Sequence, residues 1–142
     1  MQQKQIHLER ITYDNVGKVL KLRVARDQKH FLGSNEQSLA LAYATLADGD
    51  PVFPFAIYRG KTPVGFIMID KRYQHRGYGR AALQLAIDFI RTFPCGAAEY
   101  CVLSYYMKNQ VAREFYRAFG FTELNEPGYY EEGDEVSAVL KL

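Results

Sequence analysis

The first half of the chain changes between the two-residue period of strands and the 3.6-residue period of helices. Alternation over residues 5–11 predicts a strand, and cap candidates at residues 12–15 introduce a helix. A second helix begins near residues 34–37 and stops at residues 48–51. Turn residues 59–62 join two alternating runs and predict a β-hairpin. The apolar side of the second helix is expected to comprise Leu39, Ala42, Tyr43 and Leu46, and the second hairpin strand to carry Val64, Phe66 and Met68.

The second half predicts a helix over residues 78–93, a strand over residues 98–106 and a helix from Asn109 to Gly120. A single polar stripe on an otherwise apolar surface marks the first of these helices as mostly buried; it consists of Arg80, Gln84, Asp88 and Arg91. Turns at Pro127, Gly128 and residues 132–134 separate final strands. The pattern is mixed α/β (α+β), and its strand–helix–strand order predicts a partly parallel sheet.

Composition and charge narrow the class of protein. The 142 residues, 48% hydrophobic and 24% charged, predict one globular domain over residues 1–142. A net charge of +2 does not indicate a nucleic-acid partner, and without a long apolar run we expect no membrane partner and a cytoplasmic location. Cys95 and Cys101 lack zinc spacing, so we expect no metal and no disulfide framework.

A glycine-containing loop before the buried helix is the main candidate for ligand binding. Its residues are Gln74, His75, Arg76, Gly77, Tyr78 and Gly79. The first amides of a helix are unpaired and partly positive, and glycines let an anion approach them. Arg72 and Arg80 add positive charge nearby, so the loop suits a pyrophosphate. The loop lacks the Gly-Lys-Ser/Thr of a Walker motif, and the place of Glu99 fits a dinucleotide fingerprint poorly. A purely structural turn is the remaining alternative.

Two motifs in the expected order resemble the GNAT superfamily of N-acetyltransferases. Residues 74–79 match its Q/R-x-x-G-x-G/A element, and residues 109–121 match its N-x-x-A-x-x-x-Y-x-x-x-G-F stretch. The similarity follows the element order along nearly the whole chain. Residues 69–74 resemble bacterial spermine/spermidine (polyamine) acetyltransferases in particular.

The resemblance implies a mostly antiparallel central sheet flanked by helices, and transfer of an acetyl group from acetyl-CoA to a small-molecule primary amine such as spermine or spermidine. Tyr116 would protonate the leaving thiolate. The alternative for Tyr116 is a core tyrosine whose hydroxyl is bonded within the protein. Homodimerisation stays open. The residues expected to hold CoA are Met68, Ile69, Gln74, His75, Arg76, Gly77, Tyr78, Gly79, Arg80 and Asn109.

The chain departs from the family pattern immediately before the loop. The run from Val64 to Ile69 continues directly into Asp70, about a dozen residues shorter than relatives that carry a further strand there. Because that strand often holds a general base, no base is assigned. Either one strand is missing or shortened, or a partner or a rearrangement compensates for it. The rival function is a degenerate module that binds CoA or a partner without efficient transfer. An acidic group near the end would attract a polycation, although a solvated hairpin explains it better; it comprises Glu126, Glu131, Glu132, Asp134 and Glu135.

Overall fold

The computed structural model describes residues 5–31, 33–124 and 135–142, with the backbone alone at residues 30 and 31. Two compact units divide the chain, one ending at Ala86 and the other beginning at Ile87. The single domain over residues 1–142 stays a prediction. The turns predicted at Pro127, Gly128 and residues 132–134, and all of the acidic group except Glu135, lie outside the described residues.

The first unit contains an antiparallel sheet in the order β1-β2-β3. Its strands are β1 (Ile6–Arg10), β2 (Phe55–Arg59) and β3 (Thr62–Gly65). Leu8 lies opposite Ile57 in the register of β1 and β2. The strand predicted for residues 5–11 is thus confirmed. The turn predicted at residues 59–62 is confirmed as well, because Gly60 adopts the positive φ of 59° that a tight hairpin turn requires.

Helices α1 (Val16–Leu20) and α2 (Asn35–Ala47) separate β1 from β2, with a 3₁₀ turn at Arg26–Phe31 between them. The predicted cap of α2 is confirmed, since the Ser34 hydroxyl accepts a hydrogen bond of 3.0 Å from the Gln37 amide. The predicted apolar side of α2 is partly wrong. Leu39 packs against the core, but Tyr43 is 75% exposed and Leu46 is 51% exposed. The spacing of apolar residues along a helix does not predict how much of that helix other elements cover.

Two apolar clusters form the core of the first unit. One contains Val19, Ala56, Tyr58 and Phe66. The other contains Ile57, Val64, Tyr78 and Ala82. Because successive residues of β2 point to opposite faces of the sheet, Ile57 joins one cluster while its neighbours join the other. The first turn of α3 (Tyr78–Ile90) is thereby held against the sheet.

The chain reverses directly after β3, where the sequence predicted a continuing strand. The Phe66 amide donates to the Met68 carbonyl and the Asp70 amide donates to the Val64 carbonyl, both at 2.8 Å. A Cβ atom at Gly65 would lie 2.3 Å from the Met68 oxygen, so the return needs glycine there. The strand predicted through Phe66 and Met68 is therefore wrong: β3 ends at Gly65.

The four polar residues predicted to form a stripe on α3 are all exposed, whereas Tyr78, Ala82 and Ile87 are buried. The amphipathic interpretation of this helix is confirmed. The helix ends at Ile90, before the predicted limit, and Phe93 follows with a positive φ of 55°. The boundary between the two units falls inside α3.

The second unit contains an antiparallel sheet in the order β4-β6-β5 and the helix α4 (Gln110–Phe119). The strands are β4 (Tyr100–Tyr106), β5 (Thr122–Glu123) and β6 (Glu135–Lys141). Tyr105 lies opposite Val136 in the register of β4 and β6. The mixed α/β class with antiparallel sheets is confirmed. The parallel pairing expected from the strand–helix–strand order is not among the strand pairs of the described residues, because β3 and β4 belong to separate sheets.

Candidate functional site

The predicted anion-binding loop has the backbone of a tight turn that opens a helix. His75 and Gly77 have positive φ angles of 60° and 80°, and α3 begins at Tyr78. The Ala81 amide donates to the Gly77 carbonyl at 3.2 Å, as the first helical hydrogen bond of α3. A Cβ atom at Gly77 would meet nothing within 4 Å. Open space therefore lies before a helix N-terminus whose partial positive charge attracts anions.

Two side chains of the loop are turned toward the protein. The Gln74 amide nitrogen donates to the Ile69 carbonyl at 2.9 Å and to the Gln28 side-chain oxygen at 2.7 Å. Tyr78 is only 3% exposed, and its hydroxyl accepts a hydrogen bond of 3.1 Å from Arg59. These side chains anchor the loop at both ends. His75, Arg76 and Gly77 between them, and Arg80 beyond, are exposed to solvent, while Gly79 is half-buried.

Two arginines beside the loop contact the aromatic ring of Tyr73. The guanidinium carbon of Arg72 lies 5.3 Å from the centre of the Tyr73 ring, and that of Arg76 lies 5.9 Å from it. Cation–π attraction at these distances orders the two arginines. Arg72 also pairs with the Asp70 carboxylate at 2.8 Å, so part of its charge is already neutralised.

Asp70 is a buried carboxylate at the start of the loop, and the sequence interpretation gave it no role. It is 2% exposed and accepts hydrogen bonds from the Arg23 amide at 2.9 Å and from the Arg72 side chain at 2.8 Å. Burial raises the pKa of Asp70, but the bonds from Arg72 and from the Arg23 amide outweigh it, so the net pKa is lowered. The Lys71 amide also donates to the Arg23 carbonyl. Asp70 therefore fastens the segment after α1 to the loop.

Met68 and Ile69, the predicted contacts of the CoA arm, lie in the short return after β3. Their carbonyl groups already accept hydrogen bonds from the Phe66 amide and from the Gln74 side chain. Gly65 and Ile69 form an isolated antiparallel bridge. The hydrogen bonds of this bridge are those from the Phe66 and Asp70 amides, so Gly65 and Ile69 are a non-hydrogen-bonded pair and the Ile69 amide points away from Gly65.

Tyr116, the predicted acid, lies on α4 among aromatic rings of the second unit. Its ring stacks on Tyr105 with centres 5.4 Å apart and meets the edges of Phe115 and Phe121 at 5.1 and 5.7 Å. Burial raises the pKa of Tyr116 above its ordinary value. Among the described residues the Tyr116 hydroxyl has no hydrogen-bond partner. No side-chain nitrogen or oxygen atom of the described residues is both shielded from solvent and without a hydrogen-bond partner.

The neighbouring Tyr105 is engaged differently. Its hydroxyl donates to Glu123 at 2.9 Å, and Arg113 binds both oxygens of the same carboxylate at 2.9 and 3.1 Å. Burial, and then the bond to Glu123, raises the pKa of Tyr105 to about 12. The bond from Arg113 lowers the pKa of Glu123. This triad joins β4, α4 and β5 and supports the ring on which Tyr116 stacks.

Asn109 is the N-cap of α4, and its side-chain oxygen accepts a hydrogen bond of 3.1 Å from the Ala112 amide. The predicted cap is confirmed. Gly120 ends the helix with a φ of 121°, also as predicted. Both residues thus have structural roles in the second unit.

A cavity of about 410 Å³ lies in the first unit beside the segment that follows α1. The residues that line it include Leu22, Arg23, Lys29, Asn35, Glu36 and Met68. The structure therefore brings Met68, a predicted site residue, next to a polar cavity that the sequence did not indicate. Helical spacing of apolar residues carries no signal for such a cavity, because its lining comes from three separate segments.

Among residues 5–31, 33–124 and 135–142, no group of three or more His, Cys, Asp or Glu side chains is placed to hold a metal ion. In the same residues, no helix has both the length and the apolarity needed to cross a bilayer.

Residues 22–121 match the model of the acetyltransferase (GNAT) family. No curated protein matches the chain.

Solved structures agree in fold. A domain from Methanocaldococcus jannaschii has a TM-score of 0.69 at 11% identity, over 99% of this chain and 100% of that one. A GNAT-family acetyltransferase from Streptococcus pneumoniae has a TM-score of 0.64 at 16% identity, over 97% and 100% of the two chains. The ribosomal-protein-S18-alanine N-acetyltransferase of Escherichia coli has a TM-score of 0.64 at 17% identity, over 97% and 93%.

Proposed function

Since the chain belongs to the acetyltransferase (GNAT) family, we propose that it transfers an acetyl group from acetyl-CoA to a primary amine of a small molecule. The observation that carries this proposal is the loop before α3, where positive φ angles at His75 and Gly77 leave open space before partly positive helix amides. A pyrophosphate needs such a place, because it is anionic and binds best where several donors converge.

In the proposed complex the backbone amides of residues 76–80 bind the CoA pyrophosphate, with Arg76 and Arg80 contributing charge. Gln74 and Tyr78 act by anchoring the loop, since their side chains are bonded to the protein. The pantetheine arm follows Met68 and Ile69 in the manner of an added strand, using the Ile69 amide, which points away from Gly65. Asn109 holds the start of α4, and its contact with CoA remains a prediction from the sequence.

The chemical step requires an uncharged amine as nucleophile and a proton for the sulfur atom that leaves. The amine nitrogen bonds to the acetyl carbon, the carbon–sulfur bond breaks, and CoA departs as a thiol. We assign the proton to the Tyr116 phenol, because Tyr116 stands at the tyrosine position of the family motif and its hydroxyl has no protein partner among the described residues. The amine's own proton passes to solvent, as no base is assigned.

The polyamine acceptor and the cytoplasmic location remain predictions from the sequence. The acidic group expected to attract a polycation lies mostly in residues 125–134, outside the described part of the chain. Spermine and spermidine are therefore included among the acceptors to be tested. Homodimerisation also remains a prediction, which sedimentation of the purified chain would test.

A rival function is CoA binding without efficient transfer. The specific observation in its favour is the short return at Gly65–Ile69, where the carbonyl groups of Met68 and Ile69 are already bonded internally. A cofactor arm would find fewer backbone partners there than along a continuous strand.

Thiol release from acetyl-CoA tests the proposal, with amines, amino acids and polyamines as acceptors and CoA-induced thermal stabilisation measured in the same preparation. Turnover with any amine above the hydrolysis rate supports transfer. Stabilisation by CoA without turnover would leave only the binding module. If CoA caused no stabilisation and no amine was acetylated, both the transferase and the binding module would be refuted.

A further inference from the structure

The cavity in the first unit has an uneven balance of charge. Arg23 and Lys29 contribute two positive charges to its lining and Glu36 one negative charge. The Glu36 carboxylate is already occupied, because Arg23 pairs with it at 3.5 Å. Arg23 also donates to the carbonyl groups of Leu20 and Leu22. The charge left over in this lining is that of Lys29.

Lys29 is exposed and has no ion-pair partner among the residues that the structure describes. The first turn of α2 lines the same cavity through Ser34 and Asn35, and its amides add partial positive charge. An anionic group that entered the cavity would find both. A carboxylate suits an ammonium partner of this kind, since charge-assisted hydrogen bonds are among the stronger ones in proteins.

Asn35 gives the same cavity a hydrogen-bond acceptor. The residue is only 6% exposed, and its amide nitrogen donates to the carbonyl groups of Val19 and Leu22 at 3.1 and 3.4 Å. Those bonds fix the orientation of the amide. Its oxygen has no donor among the described residues, yet it is not a sealed, unsatisfied atom. Because Asn35 lines the cavity, an N–H group of a molecule bound there is the donor that we propose for this oxygen.

Apolar side chains complete the lining. Leu22 and Met68 are buried residues of the same cavity, and its volume of about 410 Å³ lies at the lower end of the range of small-molecule sites, about 300–1,000 Å³. Met68 is also the residue along which the CoA arm is proposed to lie. A molecule in the cavity would thus lie beside the proposed path of the acetyl group.

We infer that this cavity is the acceptor site and that the acceptor is an amine that also carries a carboxylate, of the size of a free amino acid. This inference rests on the proposed function. Lys29 binds the carboxylate, the Asn35 oxygen accepts from the amine, and Leu22 and Met68 contact an apolar side chain. A polyamine fits less well, because its several positive charges would face Lys29 and Arg23 with one carboxylate that is already paired.

Binding of amino acids and of their carboxamides, measured by calorimetry, tests the inference without requiring turnover. The two ligands share shape and amine but differ in the carboxylate. We expect the wild-type chain to bind an apolar amino acid about tenfold more tightly than its carboxamide, because the Lys29 ammonium and the partly positive amides of the first turn of α2 both attract the carboxylate. The amine of the carboxamide is less basic than that of the amino acid, so more of it is uncharged and ready to react. A preference for the amino acid in turnover would therefore come from the protein.

Lys29→Gln should reduce that preference to about threefold or less, and Lys61→Gln is the matched control. Lys61 is an exposed lysine in the turn between β2 and β3 and does not line the cavity, so the preference should remain. Equal binding of acid and carboxamide, tighter binding of spermidine, or an unchanged preference in Lys29→Gln would each overturn the inference. If CoA still stabilised the chain in those cases, the proposed function would survive. If amino acids bound selectively while acetyl-CoA neither bound nor reacted, the cavity would be an amino-acid site without an acceptor role, and the proposed function would fail.

Discussion

The loop before α3 and the aromatic cluster around Tyr116 are built on different physical principles. In the loop, the proposed anion binding relies on backbone groups, and His75 and Gly77 are exposed to solvent with positive φ angles. Around Tyr116, the proposed proton donor, three rings lie with their centres within 6 Å of the Tyr116 ring. A loop of this kind binds an anion through local geometry. A tyrosine of this kind depends on neighbours that are distant in sequence.

The largest effect that separates the two regions is expected from Tyr116→Phe. Removing the hydroxyl should lower kcat about 100-fold, within the usual range for a general acid, and change the KM for acetyl-CoA by less than about threefold. Steady-state thiol release measures both constants. Tyr105→Phe is the matched control, because that hydroxyl is bonded to Glu123 and should affect stability more than kcat. An unchanged kcat in Tyr116→Phe would remove the proposed acid.

The support beneath the aromatic cluster is tested by Glu123→Gln. The change weakens two hydrogen bonds from Arg113 and one from Tyr105, and should lower the free energy of unfolding by about 2 kcal/mol. Urea denaturation measures the loss. Glu9→Gln is the control, since its pair with His7 has side chains 46% and 43% exposed and should contribute less than about 1 kcal/mol. Equal losses of unfolding free energy in the two variants would mean that the bonds of Glu123 stabilise the chain no more than an exposed ion pair does.

The loop is tested by Gly77→Ala, which should weaken CoA binding about tenfold by obstructing the space before the helix amides. Gly49→Ala is a close control. Gly49 has a similar φ of 88°, and added Cβ atoms at both positions would meet nothing within 4 Å, so the cost in backbone strain is matched. CoA titration by calorimetry distinguishes them. Should both variants lose affinity equally, strain rather than ligand contact would be the cause.

The smallest effect is a loss of stability in alkali. Since the pKa of Tyr105 is raised from 10 to about 12 in the folded chain, its contribution is complete below pH 10 and is lost as pH rises toward 12. We expect unfolding free energy to fall by about 1 kcal/mol from this group by about pH 11. The raised pKa values of Tyr116 and Cys101 act in the same direction. Tyr105→Phe should therefore reduce the alkaline loss, measured by urea denaturation, without abolishing it; an unaltered loss would contradict the assignment.

Local patterns predicted much of the secondary structure. The caps at Ser34 and Asn109, the stop at Gly120 and the exposed stripe on α3 were all predicted correctly. Each depends on residues within about one helical turn, which is the range over which capping and amphipathic periodicity act. The family membership likewise followed from two short motifs of the sequence.

Longer-range packing decided the rest. Alternation predicted a strand through Phe66 and Met68, but the return at Gly65 replaced it because the Asp70 amide bonds to the Val64 carbonyl. The 3₁₀ turn at Arg26–Phe31 and the exposure of Tyr43 were not predicted either. Periodicity specifies which residues share a face, but it does not specify what that face meets.

The candidate site divides in the same way. By itself, the sequence determined the glycine loop and the place of Tyr116 on a helix, because these depend on residue type and spacing within one element. Only the tertiary structure decided that Asp70 is buried and accepts a hydrogen bond from the Arg23 amide, that the Tyr116 hydroxyl lacks a partner among the described residues, and that Lys29 and Asn35 line one cavity with Met68. Burial and hydrogen-bond satisfaction depend on segments that are far apart in the chain, and no local pattern records which of them meet.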